Sequence, residues 1–213
     1  MTLARRGRES GFSLIVALMM LIVIIILGIS ASQMAINEER GARNDRDRQV
    51  AFQAAEAALK DAEFEILGVG APSCTQPGQF GHMRELTNTC FDERSRIGFV
   101  LGCSSATDNE GLCDFDAATP AYLNPLVDFF ADAKGAPSPR TTRYGQHTHH
   151  AYPTSSNSFP PRYIIEVVPK NVALDSCSDP NCLKHMFRVT AMGFGTNPNS
   201  QVVLQIIVST PSL

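Results

Sequence analysis

Between Ser10 and Asn37 the chain carries no charged residue, a span of 28 positions dominated by FSLIVALMMLIVIIILGIS. That is long enough for one helix to cross a bilayer. Farther on the pattern changes. Val50/Ala51, Ala54/Ala55, Ala58/Leu59, Ala62 and Ile66 recur at spacings of three and four, which is one apolar stripe on an otherwise solvated helix. No proline occurs before Pro72, so residues 12 to about 67 can form a single helix about 84 Å long. Lys60, Asp61, Glu63 and Glu65 are expected along the flanks of the stripe, and Gly68, Gly70 and Pro72 end the helix. Gly28 and Gly41 each weaken it by up to ~1 kcal/mol relative to alanine. They predict gentle bends or local melting, with close packing of neighbours as the plainer alternative.

Beyond the helix the alternation is that of short strands. Strands are predicted at Ile97–Leu101, Tyr163–Val168, Phe187–Phe194 and Gln201–Ser209, with GTNPNS as the hairpin connection between the last two. LNPLVDFFADA, at 123–133, predicts a short helix. Residues 134–161 read as a proline-rich irregular insertion, and 169–183 as a loop pinned by cysteines. The expected fold class is α+β: a long N-terminal transmembrane and amphipathic helix packed on a C-terminal antiparallel β-sheet, with disulfide-pinned loops.

Charge adds topology. Arg5, Arg6 and Arg8 stand against one acid, Glu9, ahead of the apolar run, which keeps this end in the cytoplasm and exports the rest. All six cysteines, Cys74, Cys90, Cys103, Cys113, Cys177 and Cys182, fall in the exported part. An even count there argues for three disulfides. Sequence order favours Cys103–Cys113 and Cys177–Cys182, which leaves Cys74–Cys90; one or two free thiols are the alternative. The net charge of -3 offers no nucleic-acid surface. Arg40, Arg43, Arg46 and Arg48 do cluster, but Glu38, Glu39, Asp45 and Asp47 interleave with them, as on a solvated or interface face of a helix. An ordinary secretory signal has a shorter apolar stretch followed by its cleavage site; here Gly11 precedes the stretch.

Candidate chemistry is sparse. His147, His149 and His150 could hold a metal, but no carboxylate or cysteine lies within a few residues, and a surface loop is the better reading. Asp175, Asp179 and Asn181 supply oxygens suited to calcium without an EF-hand spacing. Asp108, Glu110, Asp114 and Asp116 read as solvated surface. No nucleophile elbow, zinc-binding helix motif or phosphate loop occurs. The chain is expected to be no enzyme and to take no cofactor.

With these features in place, the residues resemble a type IV pilin precursor, most closely the PilX-type minor pilins. The resemblance rests on the charged leader ending in Gly11, the start Phe12-Ser13-Leu14-Ile15, the stretch NEERGARNDRDRQVAFQAAEAALKDAE at 37–63, and FRVTAMGFG at 187–195 with VVLQ at 202–205. It implies a pilin-like fold in four parts: a leader at 1–11, a transmembrane helix at 12–36, an amphipathic helix at 37–69 and a globular domain at 70–213. It implies cleavage by a membrane prepilin peptidase between Gly11 and Phe12, and methylation of the new terminus. Major pilins carry glutamate at the fifth mature position; counted from Phe12 that position is Val16. A carboxylate there would offset the buried amino terminus of a neighbour, because an unpaired charge in apolar surroundings is costly. A subunit with no older neighbour above it has no such charge to offset, so Val16 argues against a major structural subunit.

The resemblance also implies a place in the cell: the inner membrane with the globular part periplasmic, then the pilus tip. The expected role is in a minor-pilin complex that primes pilus assembly and supports a tip adhesin. Its partners would be other minor pilins, the major pilin, the adhesin, the prepilin peptidase and the inner-membrane assembly platform. Alternatives are a minor pseudopilin of type II secretion, which shares the missing glutamate, and an unprocessed single-pass envelope protein.

Overall fold

The computed structural model describes residues 12–67, 79–80, 91–92, 98–134, 139–152, 159–169 and 185–209. The chain divides into two compact units, Met1–Asp45 and Arg46–Leu213. One helix, α1 (Phe12–Leu67), contributes to both and is unbroken at Gly28 and Gly41. Local melting at these glycines is therefore not seen. A Cβ at either would meet nothing within 4 Å, so the helix itself imposes no need for glycine there.

Described residues of the first unit are helix only. Its large apolar side chains, from Leu14 through Ile36, are exposed. An apolar helix with no protein against it is suited to lipid or to other helices. α1 is the one helix among the described residues long and apolar enough to cross a membrane, with a window of mean hydropathy 3.2.

The second unit is built on the other end of α1. A small antiparallel pair, β1 (Gln79–Phe80) with β2 (Phe91–Asp92), stands apart from the main sheet. The main sheet contains β3 (Leu112–Cys113), β4 (Thr142–Arg143), β5 (Arg162–Pro169), β6 (His185–Phe194) and β7 (Gln201–Ser209). β5, β6 and β7 form an antiparallel meander, from Arg162↔Met192 to Pro169↔His185 and from Met186↔Ser209 to Phe194↔Gln201. β4 pairs antiparallel with the start of β5, and β3 pairs parallel with its middle. The sheet is thus mixed where an antiparallel one was expected, because the chain enters β3 from a disulfide-closed loop and not from a hairpin.

The two sides of the sheet are covered differently. Ala58, Leu59, Ala62 and Ile66 of α1 pack on Tyr163, Ile165 and Val167 of β5 and on Phe187, Val189 and Ala191 of β6. Leu204, Ile206 and Val208 of β7 extend this core. Ala51, Ala54 and Ala55 are also buried, so the predicted stripe is the buried face. Its small residues let the helix backbone approach the sheet. At Gly193 of β6 an added Cβ would collide with Ala51 O and Ala55 N of α1. On the opposite side, Cys103, Cys113, Ala121 and Phe129 pack on Ile164 with Val127 and Met192 alongside. That second layer covers β5 and β6 and leaves Val203 and Ile207 of β7 exposed.

Two local expectations are corrected. Residues 98–101 form a turn with a single parallel bridge, Val100↔Cys113, in place of a strand. Residues 123–133 are no continuous helix: Ala121–Leu123 makes a 3-10 turn, and only Ala131–Lys134, α2, is α-helical. Asn124 and Asp128 turn their side chains onto the backbone N–H of Leu126 and Phe130, a local competition that disfavours helix.

Candidate functional site

The buried stripe of α1 contains carboxylates. Asp47, Ala51, Ala54, Ala58, Asp61 and Glu65 follow one another at alternating steps of four and three, so all six share one helix face. Asp61 and Glu65, expected on the flanks, are 1% and 0% exposed, and Asp47 is 8% exposed. Burying a carboxylate is costly unless donors surround it, and each of the three has them.

Asp47 faces the β6–β7 turn. Its Oδ1 accepts from Thr196 Oγ1 and from the backbone N–H of Asn197 at 3.1 Å. Hydrogen bonds from the Ser200 side chain, then from Thr196, hold this carboxyl below the ordinary carboxylate range. The turn is closed by Gly195 N–H to Ser200 O at 2.8 Å, as expected for a hairpin at GTNPNS.

Asp61 organises the segment that holds the histidines. Its Oδ2 accepts from Gly145 N–H at 2.8 Å, and its Oδ1 contacts Thr148 Oγ1 and His150 Nδ1, the latter at 2.8 Å. Tyr163 Oη lies 3.3 Å from Asp61 Oδ2 and 2.5 Å from Glu65 Oε2. Gly145 has φ +73, and a Cβ there would strike His150 O; only glycine lets the chain turn this tightly above the carboxylate. Phe64 meets the His150 ring edge-on at 5.4 Å. Burial, then the Asp61 charge, raises the pKa of the nearby Tyr144 hydroxyl and keeps it neutral.

The histidine run is therefore a docked loop and not a free surface one. The carboxylate it lacked in sequence comes from Asp61, 89 positions away. Glu110, expected to be solvated, is also buried; it accepts from Gln146 at 2.9 Å, and its backbone carbonyl accepts from Thr142. Arg162, 4% exposed, donates to Thr141 and to Asp132, which ties α2 to β5.

Thr148, Asp61 and His150 resemble the parts of a hydrolytic triad, but the arrangement is wrong for one. Thr148 and His150 both bind Asp61, and among the described residues no hydroxyl is hydrogen-bonded to the other imidazole nitrogen as a nucleophile to its base. Among the described residues no group of three metal-ligating side chains converges. These carboxylates hold the chain in place.

The other residues singled out from sequence lie apart from this network. Phe12 begins α1. Val16 is exposed on the apolar helix with Gly28 beyond it, and Gly41 lies in the charged stretch of the same unit. Cys103 and Cys113 are joined by a disulfide across a separation of ten residues. Gly11, the cysteines at 74, 90, 177 and 182, and the Asp175–Asp179–Asn181 group lie outside the described residues.

An apolar helix that carries on into the core of an α+β domain, with no assembled active site among the described residues, fits the pilin-like class of assembly subunits. Family profiles narrow that class. Residues 102–210, more than half of the chain, match the type IV pilus assembly protein PilX C-terminal family, and residues 10–60 match the PilX N-terminal family. The chain belongs to the PilX family, whose members are structural pilins acting in type IV pilus assembly. No curated protein and no solved structure matches it.

Proposed function

We propose that this chain is a minor pilin that primes assembly and stays at the pilus tip, in a complex of minor pilins that supports an adhesin. Val16 carries the reading. It occupies the fifth place of the mature chain if cleavage falls before Phe12, and it presents no carboxylate to a neighbour's amino terminus. Before assembly the helix sits in the inner membrane, its basic leader cytoplasmic and its second unit periplasmic. It leaves by exchanging lipid contacts for helix contacts, a transfer between two apolar settings that never exposes its side chains to water. The platform protein supplies the movement.

The leader must go first. Arg5, Arg6 and Arg8 on a helix end buried in a filament would be prohibitive. Mass spectrometry of the protein from membranes should find Phe12 as a methylated first residue; an intact 1–11 segment would refute processing. Gold-labelled protein should mark filament ends, and deletion should sharply reduce surface pili. Even labelling along filaments would overturn the tip position, and normal pilus numbers in the deletion strain would overturn priming. The remaining cysteines pair as Cys74–Cys90 and Cys177–Cys182, and non-reducing peptide mapping that finds free thiols there would reject this.

A further inference from the structure

β7 ends the main sheet. Among the described residues it pairs with β6 alone, so the alternate residues whose N–H and C=O groups point away from β6 leave them open along its other edge. Natural sheets guard such edges with charge, proline, bulges or brevity. β7, QVVLQIIVS, has no charge, no proline and no glycine, and runs in unbroken register from Gln201 to Ser209. Its alternate residues are apolar on both sides: Leu204, Ile206 and Val208 toward α1, and Val203 and Ile207, 51% and 64% exposed, on the other face. The loop layer over β5 and β6 does not reach them.

Beside this edge, between β7 and α1, runs an open groove of about 860 Å³, lined on one wall by Ile206, Ile207 and Val208 and on the other by Gln53, Glu56 and Lys60. A strand added about 4.8 Å beyond β7 would turn alternate side chains into this groove. Lys60 is already bound to Glu63 at 2.8 Å. Glu56 has no ion pair among the described residues, so the helix wall is acidic. A second copy of β7, which has no charged residue, would bring no cation to Glu56.

We infer that β7 is an acceptor edge, paired in the assembled pilus by an extended strand from a different pilus protein. That strand is apolar at alternate positions and carries a lysine or arginine against Glu56. Main-chain hydrogen bonds supply the affinity and the alternate side chains the selectivity. The inference needs the family's role in assembly and does not depend on position at the tip.

The test is site-specific photo-cross-linking of the full chain in piliated cells, with benzoylphenylalanine at Val203 or, separately, at Ile207. Cross-strand neighbours lie about 5 Å apart. The two probes, four positions apart on β7, should therefore mark residues about four apart on one segment of a single other pilus protein. Marks on unrelated segments, a cross-link between two copies of this chain, or no cross-link in piliated cells would each overturn it. V203K/I207K, with the probe at Gln205, should lose the cross-link, whereas V203T/I207T should keep it; loss in both or retention in both also overturns it. If V203K/I207K fails to accumulate, the spacing of the two single-probe marks decides alone. Cross-linked partner found along the shaft would sink the tip reading while leaving the strand pairing intact.

Discussion

Asp61 is the residue whose loss should be felt most widely. One carboxylate holds Gly145, Thr148 and His150 and lies beside Tyr163. Asp61→Ala leaves those donors without their acceptor, and stranded buried donors cost ~1–3 kcal/mol each. The expected loss is about 3 kcal/mol or more, read by denaturation of the full chain in detergent, with new proteolytic cleavage at 144–150. Unchanged stability would mean that water satisfies the loop. Asp47 gives a pH signature. Its folded pKa is lowered, so its stabilisation is complete above the ordinary carboxylate value of about 3.9. It is lost as pH falls from there through the lowered value. The stability gap between wild type and Asp47→Asn should be widest at neutral pH and close on acidification below about pH 4. A gap that is constant with pH would rule out the clamp.

At the scale of elements, the contact between α1 and the sheet depends on small residues on both sides. Gly193 faces the helix backbone at Ala51 and Ala55. A methyl group there meets main chain that cannot rotate away, so Gly193→Ala should lower stability by ~3 kcal/mol, at the upper end of overpacking costs. A neutral result would mean that helix and sheet separate at little cost. The Cys103–Cys113 bridge closes the turn that feeds β3 into the mixed sheet. Its removal should cost ~2–4 kcal/mol. Cys103→Ser should therefore lower the melting temperature and raise amide exchange at 100–113 more than along β5 and β6; uniform loosening would assign the bridge a global role.

For the whole molecule, the two units do different work. Residues 12–37 offer an apolar helix surface with no partner of its own among the described residues, and the described residues from 46 on pack a core of their own. Such a chain is stable alone only in a membrane or an assembly. This is the physical basis of the proposed route, in which the subunit waits in lipid and is then drawn into a pilus. Full-length protein without lipid or detergent should aggregate through residues 12–37 more strongly than the fragment from Arg46. Equal solubility of the two would argue against the apolar helix as the assembly element.

Local chemistry alone determined the long helix, its two characters, its end near Leu67 and the β5–β6–β7 strands, because each is a periodic pattern read over many residues. The resemblance to PilX-type pilins was likewise carried by runs of consecutive residues. The stripe even held its carboxylates in view: Asp47, Asp61 and Glu65 sit at the alternating steps of four and three that place them among the buried alanines. Periodicity gives no reason to bury a charge and by itself places them on the flanks. Only the tertiary structure decided otherwise, by bringing donors at least 84 positions away onto each of the first two. The parallel pairing of β3, the docking of the histidine loop and the edge of β7 left unpaired among the described residues are of the same kind. Each depends on which distant segment arrives beside a residue, and a burial cost offset by a remote partner leaves no trace in local sequence.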